Sequence, residues 1–238
     1  MIFGSSKPFT VLLFFLISSL APAQPDLSSY IREQHGFNQE LINGKLFYNK
    51  FYHVLNHPYY SGEKSLPGSI VLSGISYDDV KINYNIYSQY LVLDYEGVSG
   101  DFHKIILGPE RTDAFHLDGD YFEKLSLDEQ GPLFYQVITV NGLSCYIHWE
   151  KEMMSTTNNL QYANIFTEPK RTYFLKTSGT IHPFAHRRRF ASLCPEVPIK
   201  KIRKYMQENA FRFPDASSEQ IEGLLRFVSS ELQSSPGN

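Results

Sequence analysis

The sequence predicts a mainly β (α+β) fold. An antiparallel meander of about eight to ten strands, strongly twisted or partly rolled into a barrel, precedes two C-terminal helices. Between Asp79 and Gly97, apolar and polar residues alternate, which is typical of strands with one buried face. Asn141-Gly142 separates two further strand-like runs and favours a tight hairpin turn. After Cys194 the apolar residues recur at spacings of three and four, which is typical of helices.

The composition is that of a folded domain rich in aromatic residues. Of the 238 residues, 42% are hydrophobic and 20% are charged, which excludes a disordered or low-complexity chain. The 16 Tyr and 18 Phe favour a β-rich fold, because aromatic rings pack well on a half-buried pleated surface.

Residues 1–23 have the three parts of a secretory signal peptide. Lys7 supplies the positive region, residues 9–20 form a 12-residue apolar run, and Ala21-Pro22-Ala23 is a small-residue cleavage site. We therefore expect cleavage after Ala23 and a periplasmic or secreted protein. Because no later apolar run has transmembrane length, we predict no transmembrane segment in the mature chain.

Residues 24–67 are predicted to contain a short helix and an aromatic cover segment. The helix is expected over residues 27–34. The aromatic segment spans residues 44–60, where Pro58 disfavours a continuous strand. We expect a loop that packs across one end of the sheet, although such a segment could also line a groove for a peptide or a sugar.

Residues 68–193 are predicted to form the antiparallel β domain, with the hairpin of residues 79–97 at its centre. The alternation places Tyr84 on the buried face of the first strand and Asn83 and Asn85 on the opposite face. Residues 152–161 are predicted to be a polar connection. The predicted strands cover residues 69–72, 80–86, 90–95, 103–107, 114–117, 121–125, 133–140, 143–151, 172–176 and 180–182.

Residues 194–238 are predicted to form a helical pair packed on the β domain. Pro198 introduces the first helix, which should end near Asn209. Ser217 or Ser218 caps the second helix, whose apolar residues form one stripe. The pair is expected to cover a sheet edge or a barrel end, which protects strands from further pairing.

The charge is distributed unevenly along the chain. Between Glu168 and Met206, ten Lys and Arg stand against two Glu, a net charge of +8. The whole chain carries -3 and the leader contains Lys7, so the rest of the mature chain carries -12. Arginine forks suit phosphate and carboxylate groups. We therefore predict a surface for an anionic partner, formed by Arg187, Arg188, Arg189, Lys200, Lys201, Arg203 and Lys204.

Two kinds of partner fit this surface, an envelope protein and an anionic membrane component. The alternative needs no partner: the basic side chains form ion pairs with the protein's own acidic residues or form a solvated face. Nucleic acid is disfavoured as a partner, because the chain is net negative and is expected to be exported.

Cys145 and Cys194 are the two cysteines of the chain. An oxidising compartment permits a disulfide between them. Alternatively, Cys145 is a small apolar core residue, since it shares a strand face with Ile147 and Trp149.

The sequence contains no strong catalytic or cofactor motif. His53 and His57, and His182 and His186, are four residues apart, but both pairs lie in loop-like or strand-like segments where that spacing does not converge on a metal. Zinc-protease, nucleophile-elbow and glycine-rich phosphate-loop motifs are all absent from the sequence. We therefore predict no catalytic residue, no metal and no cofactor.

Several segments occur in a distinctive order. A signal peptide precedes HPYY, GSIVLSGISYDDVKINYNIYSQYLVL, TYFLKTSGTIHPF, RRRFASLCP and LLRFVSSEL. In this order the chain resembles a family of exported β-rich proteins of unknown function from Bacteroidetes-type bacteria. The resemblance covers most of the mature chain. It implies export and a β-rich architecture with a helical end, and it implies no catalytic residue.

The sequence favours an exported envelope protein that binds or scaffolds without catalysis. One alternative is a carrier of small apolar ligands, whose barrel would enclose a cavity. A second alternative is a hydrolase of envelope polymers, which would need acids or histidines gathered in a cleft.

Overall fold

The computed structural model describes residue 41 and residues 43–97, 100–127, 131–157 and 161–234. The predicted leader over residues 1–23 and the predicted helix over residues 27–34 lie outside the described residues. The described chain is mainly β, with a large antiparallel sheet that is not closed and helices near the C-terminus. The predicted fold class is confirmed.

Fourteen strands occur in the described part of the chain, and they form two sheets. In chain order they are β1 (Lys45–Leu46), β2 (Val54–Leu55), β3 (Leu66–Leu72), β4 (Ile75–Asn85), β5 (Tyr90–Glu96), β6 (Phe102–Leu107), β7 (Thr112–Leu117), β8 (Asp120–Leu125), β9 (Leu133–Val140), β10 (Leu143–Glu150), β11 (Met153–Ser155), β12 (Asn164–Phe166), β13 (Lys170–Thr177) and β14 (Thr180–Phe184).

Eleven strands form one antiparallel sheet in the order β1-β6-β5-β4-β3-β7-β8-β9-β10-β13-β14. The predicted hairpin of residues 79–97 corresponds to β4 and β5, which pair antiparallel as expected. Its predicted central position is wrong. β5 and β4 lie third and fourth from the β1 edge, because β3 pairs onward with β7 and five further strands follow β7.

Four two-residue turns connect neighbouring strands of the large sheet. In the predicted hairpin turn, Asn141 and Gly142 have φ values of 48° and 87°. A type I′ turn needs two consecutive left-handed residues, and glycine adopts that conformation without strain. The same pair of positive φ values occurs at Ser73-Gly74, Asp118-Gly119 and Ser178-Gly179.

The large sheet curls so that the ends of two distant strands meet. In the sheet order, β3, β7, β8 and β9 lie between β4 and β10. The Gln89 side-chain amide nevertheless donates to the Ile86 carbonyl at 2.8 Å and to the Trp149 carbonyl at 2.9 Å. The Lys151 N–H donates to the Ile86 carbonyl at 3.4 Å. The sheet is therefore partly rolled, as predicted, and it remains open.

Aromatic rings from four strands fill the inside of the curl. Tyr84 on β4 contacts Phe115, Phe122 and Phe134 on β7, β8 and β9, with ring centroids 5.3, 5.5 and 5.8 Å apart. All four side chains are fully buried. Burying one such ring contributes about 1.5–3 kcal/mol, so this packing stabilises the curl.

Three helices follow the sheet: α1 (Arg187–Ser192), α2 (Ile199–Glu208) and α3 (Ser218–Ser234). A 3₁₀ helix, Phe213–Asp215, lies before α3. The two predicted C-terminal helices correspond to α2 and α3. The sequence does not predict α1, because six residues that begin with three arginines show no apolar period. Within the described chain, no helix is long and apolar enough to cross a membrane.

A capping box fixes the start of α3. The Ser217 hydroxyl accepts from the Gln220 N–H at 3.2 Å, and the Gln220 side-chain oxygen accepts from the Ser217 N–H at 3.1 Å. The stripe that includes Ile221, Leu224 and Leu225 is buried, and α3 packs against β9 and β10. The cap and the stripe together bring the N-terminus of α3 to the sheet.

Asn83 and Asn85, predicted on an open face of β4, are 2% and 0% exposed. The end of the aromatic segment covers this face. The Tyr60 N–H donates to the Tyr84 carbonyl at 2.9 Å, and the Asn83 amide donates to the Gly62 carbonyl at 2.8 Å. These contacts cover a face for which the alternation predicts solvent, and the segment predicted to be a loop contains β1 and β2.

The predicted polar connection over residues 152–161 contains β11. This strand pairs with β12, which pairs in parallel with β2 of the aromatic segment. The buried Phe166 of β12 contacts Phe51 and Tyr87, each with a centroid distance of 5.2 Å. The second sheet thus folds the connection against the aromatic segment.

Candidate functional site

The helical end that follows β14 carries the predicted basic surface. The first three of its residues lie on α1 and the other four on α2. Arg187 is partly buried, and the other six are exposed. We call this set of residues the basic face: Arg187, Arg188, Arg189, Lys200, Lys201, Arg203 and Lys204.

Apolar residues interleaved with the basic ones fix the direction of both helices. Phe190 on α1 is buried and contacts Phe184 at 5.3 Å and Phe213 at 5.6 Å. On α2, Ile202 and Met206 are buried at a spacing of four. Because these anchors face the core, the charged side chains between them face outward.

Two members of the basic face form ion pairs. Lys201 Nζ lies 2.5 Å from Glu231 Oε2 on α3, and Lys204 Nζ lies 3.8 Å from Glu208 Oε1 one helical turn later. The other five cations have no ion pair with any described residue. Internal neutralisation, the alternative raised from the sequence, therefore accounts for two of the seven charges.

A small hollow adjoins the start of α1. Its volume is about 370 Å³, and it is lined by His186, Arg187 and Arg188. The Arg187 Nε–H is buried and has no hydrogen-bond partner among the described groups. His186 Nδ1 accepts a hydrogen bond from the Arg189 N–H at 3.3 Å, and this bond does not involve Nε2. The hollow is therefore lined by one imidazole and two guanidinium side chains.

The basic segment of residues 168–206 does not form one surface. Lys170 on β13 pairs with Glu152 at 2.5 Å. The Arg171 guanidinium lies over the Trp149 ring, 4.2 Å from its centroid, and donates to the Ala216 carbonyl. A cation that is stacked and hydrogen-bonded in this way stabilises the fold and is not offered to a partner.

A second concavity lies where the turn between β7 and β8 meets the start of α3. Its volume is about 540 Å³. The sequence does not predict it, because its charged residues come from two segments far apart in the chain. We call it the acidic cleft, after its four carboxylates: Asp118, Asp120, Glu219 and Glu222.

Asp120 is held in place by side chains from three other parts of the chain. One oxygen accepts from Tyr60 Oη at 2.7 Å. The other accepts from Gln136 Nε2 at 2.5 Å and from the Ser218 hydroxyl at 3.0 Å. Gln136 Oε1 in turn accepts from Trp149 Nε1 at 2.9 Å. The network joins the aromatic segment, the sheet and α3, so its evident effect is structural.

The pKa shifts in the acidic cleft do not indicate acid–base catalysis. Burial, followed by the charge of Asp120, raises the pKa of Tyr60. A hydrogen bond from Ser217 lowers the pKa of Glu219. A general acid near neutral pH would need a raised carboxyl pKa.

Lys151 is a buried cation just after β10. Its ammonium donates to the His57 carbonyl at 2.7 Å and lies 3.4 Å from His57 Nδ1. Burial lowers the pKa of Lys151, and burial together with the Lys151 charge lowers the pKa of His57. His57 Nδ1 also accepts from the Tyr59 N–H at 3.3 Å, which suits a neutral imidazole. This cluster fastens the aromatic segment to the curled sheet.

Cys145 and Cys194 are both buried free thiols in the structure. Burial raises the pKa of both, to about 11 for Cys194. Thiols of this kind are protonated and unreactive at neutral pH. The burial of Cys145 fits a small core residue, and the disulfide stays a prediction.

The two histidine pairs, His53 with His57 and His182 with His186, are not joined by other possible metal ligands among the described residues. Within the described chain, no group of three or more His, Cys, Asp or Glu is placed to hold a metal ion. His57 Nδ1 and His186 Nδ1 accept backbone N–H groups instead.

Comparisons with known proteins identify no relative of this chain. A scan against protein-family models, a search of curated proteins and a search of solved structures each find no match to this chain. The family resemblance therefore stays a prediction. The case for a function depends on the residues and their geometry.

Proposed function

We propose that this protein is an exported, non-catalytic binding module of the cell envelope, which docks an anionic partner through the basic face. The observation that carries the proposal is the set of five cations on α1 and α2 without an ion pair to any described residue. Export is proposed from the signal-peptide pattern of residues 1–23.

The core beneath the basic face supports a preformed surface. Tyr173 and Phe184 on the last two strands, Phe190 on α1 and Phe213 before α3 form one aromatic cluster, with centroid distances from 5.1 to 5.7 Å. Helices anchored in this way present their charges without a large ordering cost, which favours binding.

The alternatives have weaker support in the geometry. The inside of the curl is filled by Tyr84, Phe115, Phe122 and Phe134, whereas a carrier of apolar ligands needs an open cavity there. A hydrolase would need a carboxyl free to exchange protons, and Asp120 instead accepts three hydrogen bonds.

The test is a pull-down from an envelope extract of the source cells at low and at high salt. We expect the wild-type protein to retain a partner at low salt and to release it at high salt, because salt screens exposed charges. The variant Arg187→Ser/Arg188→Ser/Arg189→Ser should lose the partner.

The matched control is Lys45→Ser/Lys50→Ser/Lys64→Ser. It removes the same number of positive charges from exposed positions, with Lys45 on β1 at the opposite edge of the sheet from β14, whereas Arg187 in the first variant is partly buried. Equal retention by the wild type and by the arginine variant would refute the proposed docking face. Equal loss in both variants would mean that net charge alone controls the association.

A further inference from the structure

We infer that the basic face docks on an anionic lipid surface, where the recognised group is the phosphate of a lipid headgroup. The inference rests on the proposed function and narrows its anionic partner to one chemistry. It depends on four features: the lack of apolar anchors, the placement of the unpaired cations, the hollow at Arg187 and the net charge of the chain.

The basic face lacks the anchors of a protein interface. Such interfaces centre on buried aromatic or aliphatic side chains and are depleted in Lys. Among the described residues of α1 and α2, Ile199 is the one large apolar side chain that is strongly exposed, at 46%. A charged lipid surface needs no such anchor, because its negative surface potential attracts basic residues directly.

The unpaired cations lie on two helices that contact each other. Lys200 and Arg203 are three residues apart, so they share one side of α2. Arg188 and Arg189 lie on α1. All four are exposed and have no ion pair with a described residue. Each basic residue near an anionic membrane strengthens association roughly fivefold.

The hollow at the start of α1 is lined by the side chains of His186, Arg187 and Arg188. Arginine binds phosphate with paired N–H donors, so two guanidinium groups beside one hollow suit a phosphate group.

The uneven charge of the chain would orient the protein on such a surface. The basic face carries seven cations, whereas the whole chain has a net charge of -3. An anionic surface therefore attracts the basic face and not the molecule as a whole. This asymmetry favours a single docking orientation, with the basic face towards the lipid.

The experiment uses the purified mature protein and lipid vesicles, with no other protein present. Co-sedimentation is measured with vesicles of phosphatidylcholine alone and with vesicles that also contain phosphatidylglycerol. The wild type should bind the anionic vesicles at low salt, release them at high salt and ignore the neutral vesicles. Arg188→Ser/Arg189→Ser/Arg203→Ser should bind about a hundredfold more weakly.

The control variant Lys45→Ser/Lys50→Ser/Lys64→Ser should bind the anionic vesicles nearly as well as the wild type. Thermal melts of both variants show whether they are folded, and exposed substitutions are expected to leave the melting temperature nearly unchanged. Equal binding by the two triple variants would overturn the assignment of the lipid contact to the basic face.

The outcome also separates this inference from the proposed function. If the wild type ignores anionic vesicles but the pull-down still recovers a salt-sensitive partner through the three arginines, the lipid inference fails and the docking face stands. The partner would then be an acidic protein. If neither experiment shows association, both are wrong.

Discussion

The basic face and the acidic cleft are both clusters of like charge, yet Asp120 of the cleft and most cations of the basic face differ in how many partners they have within the protein. In the cleft, the Asp120 carboxylate accepts hydrogen bonds from Tyr60, Gln136 and Ser218. On the basic face, five of the seven cations have no ion pair with a described residue. A charged group that the protein itself supplies with hydrogen-bond or ion-pair partners therefore has a structural role. A charged group without such partners is a candidate for docking.

This difference predicts two separate kinds of mutational effect. Removing a group that already accepts several hydrogen bonds, such as the Asp120 carboxylate, leaves its donors without an acceptor and should reduce stability. Removing an exposed, unpaired cation such as Arg188 should leave stability nearly unchanged and should reduce association.

The largest effect on stability is expected from Asp120→Asn. The new amide group presents a donor where one carboxylate oxygen now accepts, so Tyr60 or the pair Gln136 and Ser218 loses its acceptor. Stability should fall by about 1–3 kcal/mol. Urea unfolding measures the loss, followed by the fluorescence of Trp149, the single tryptophan of the chain.

The matched control is Asp118→Asn, which removes the same charge from the same cleft. Asp118 is exposed, and asparagine tolerates its positive φ of 55°. Its stability should stay within about 0.5 kcal/mol of the wild type. Similar losses in the two variants would contradict the view that hydrogen bonds, rather than net charge, make Asp120 important.

A smaller effect, on association, is expected from Glu231→Gln. This change releases Lys201 from its ion pair and so adds an unpaired cation to the basic face. Binding to anionic vesicles should strengthen about fivefold. Stability should change by less than about 1 kcal/mol, because the pair is exposed on the Lys201 side.

Glu219→Gln is the control for this prediction. It removes the same charge at the other end of α3, about 18 Å away along the helix axis. That separation exceeds the screening length of about 8 Å at physiological salt, so vesicle binding should not change. Equal strengthening by both variants would show that the total charge, and not the release of Lys201, controls binding.

The smallest effect concerns pH. The pKa of His57 is lowered in the folded protein from its ordinary value of 6.5, so below that pH the unfolded chain binds the proton more readily. The stability that neutral His57 contributes is fully present above about pH 6.5 and is lost as the pH falls through its lowered pKa. Urea midpoints measured from about pH 8 down to about pH 5 should decrease accordingly.

His57→Gln should flatten this acid-side decrease, whereas His53→Gln should leave it in place. His53 is exposed, while His57 faces the buried Lys151. The decrease should be modest, because His57 is only partly buried. An unchanged slope in His57→Gln would assign the pH dependence to other groups.

The features that the sequence predicts are local ones. The alternation in β4, the Asn141-Gly142 turn and the Ser217 cap each depend on a few neighbouring residues. The seven basic residues can be grouped from the sequence because they lie close together in the chain, although the sequence does not predict α1, which carries three of them.

The features that the sequence does not predict depend on distant partners. Asn83 is polar and alternates with apolar residues, yet it is buried. The chain near Gly62 packs over it, and the Asn83 amide donates a hydrogen bond to the Gly62 carbonyl. Arg171 belongs to the basic segment but stacks on Trp149. The acidic cleft needs the turn before β8 and the start of α3 to meet, and no local pattern predicts that meeting.

The hydrogen bonds between distant parts of the curled sheet and α3 affect how the chain folds. The bond from Gln89 to Trp149 joins residues 60 positions apart, and the bond from Ser218 to Asp120 spans 98 positions. The early strands therefore obtain their last partners only when the C-terminal helix has been synthesised. Non-local contacts of this kind slow folding, because the entropy of closing a long loop is lost before the contacts form.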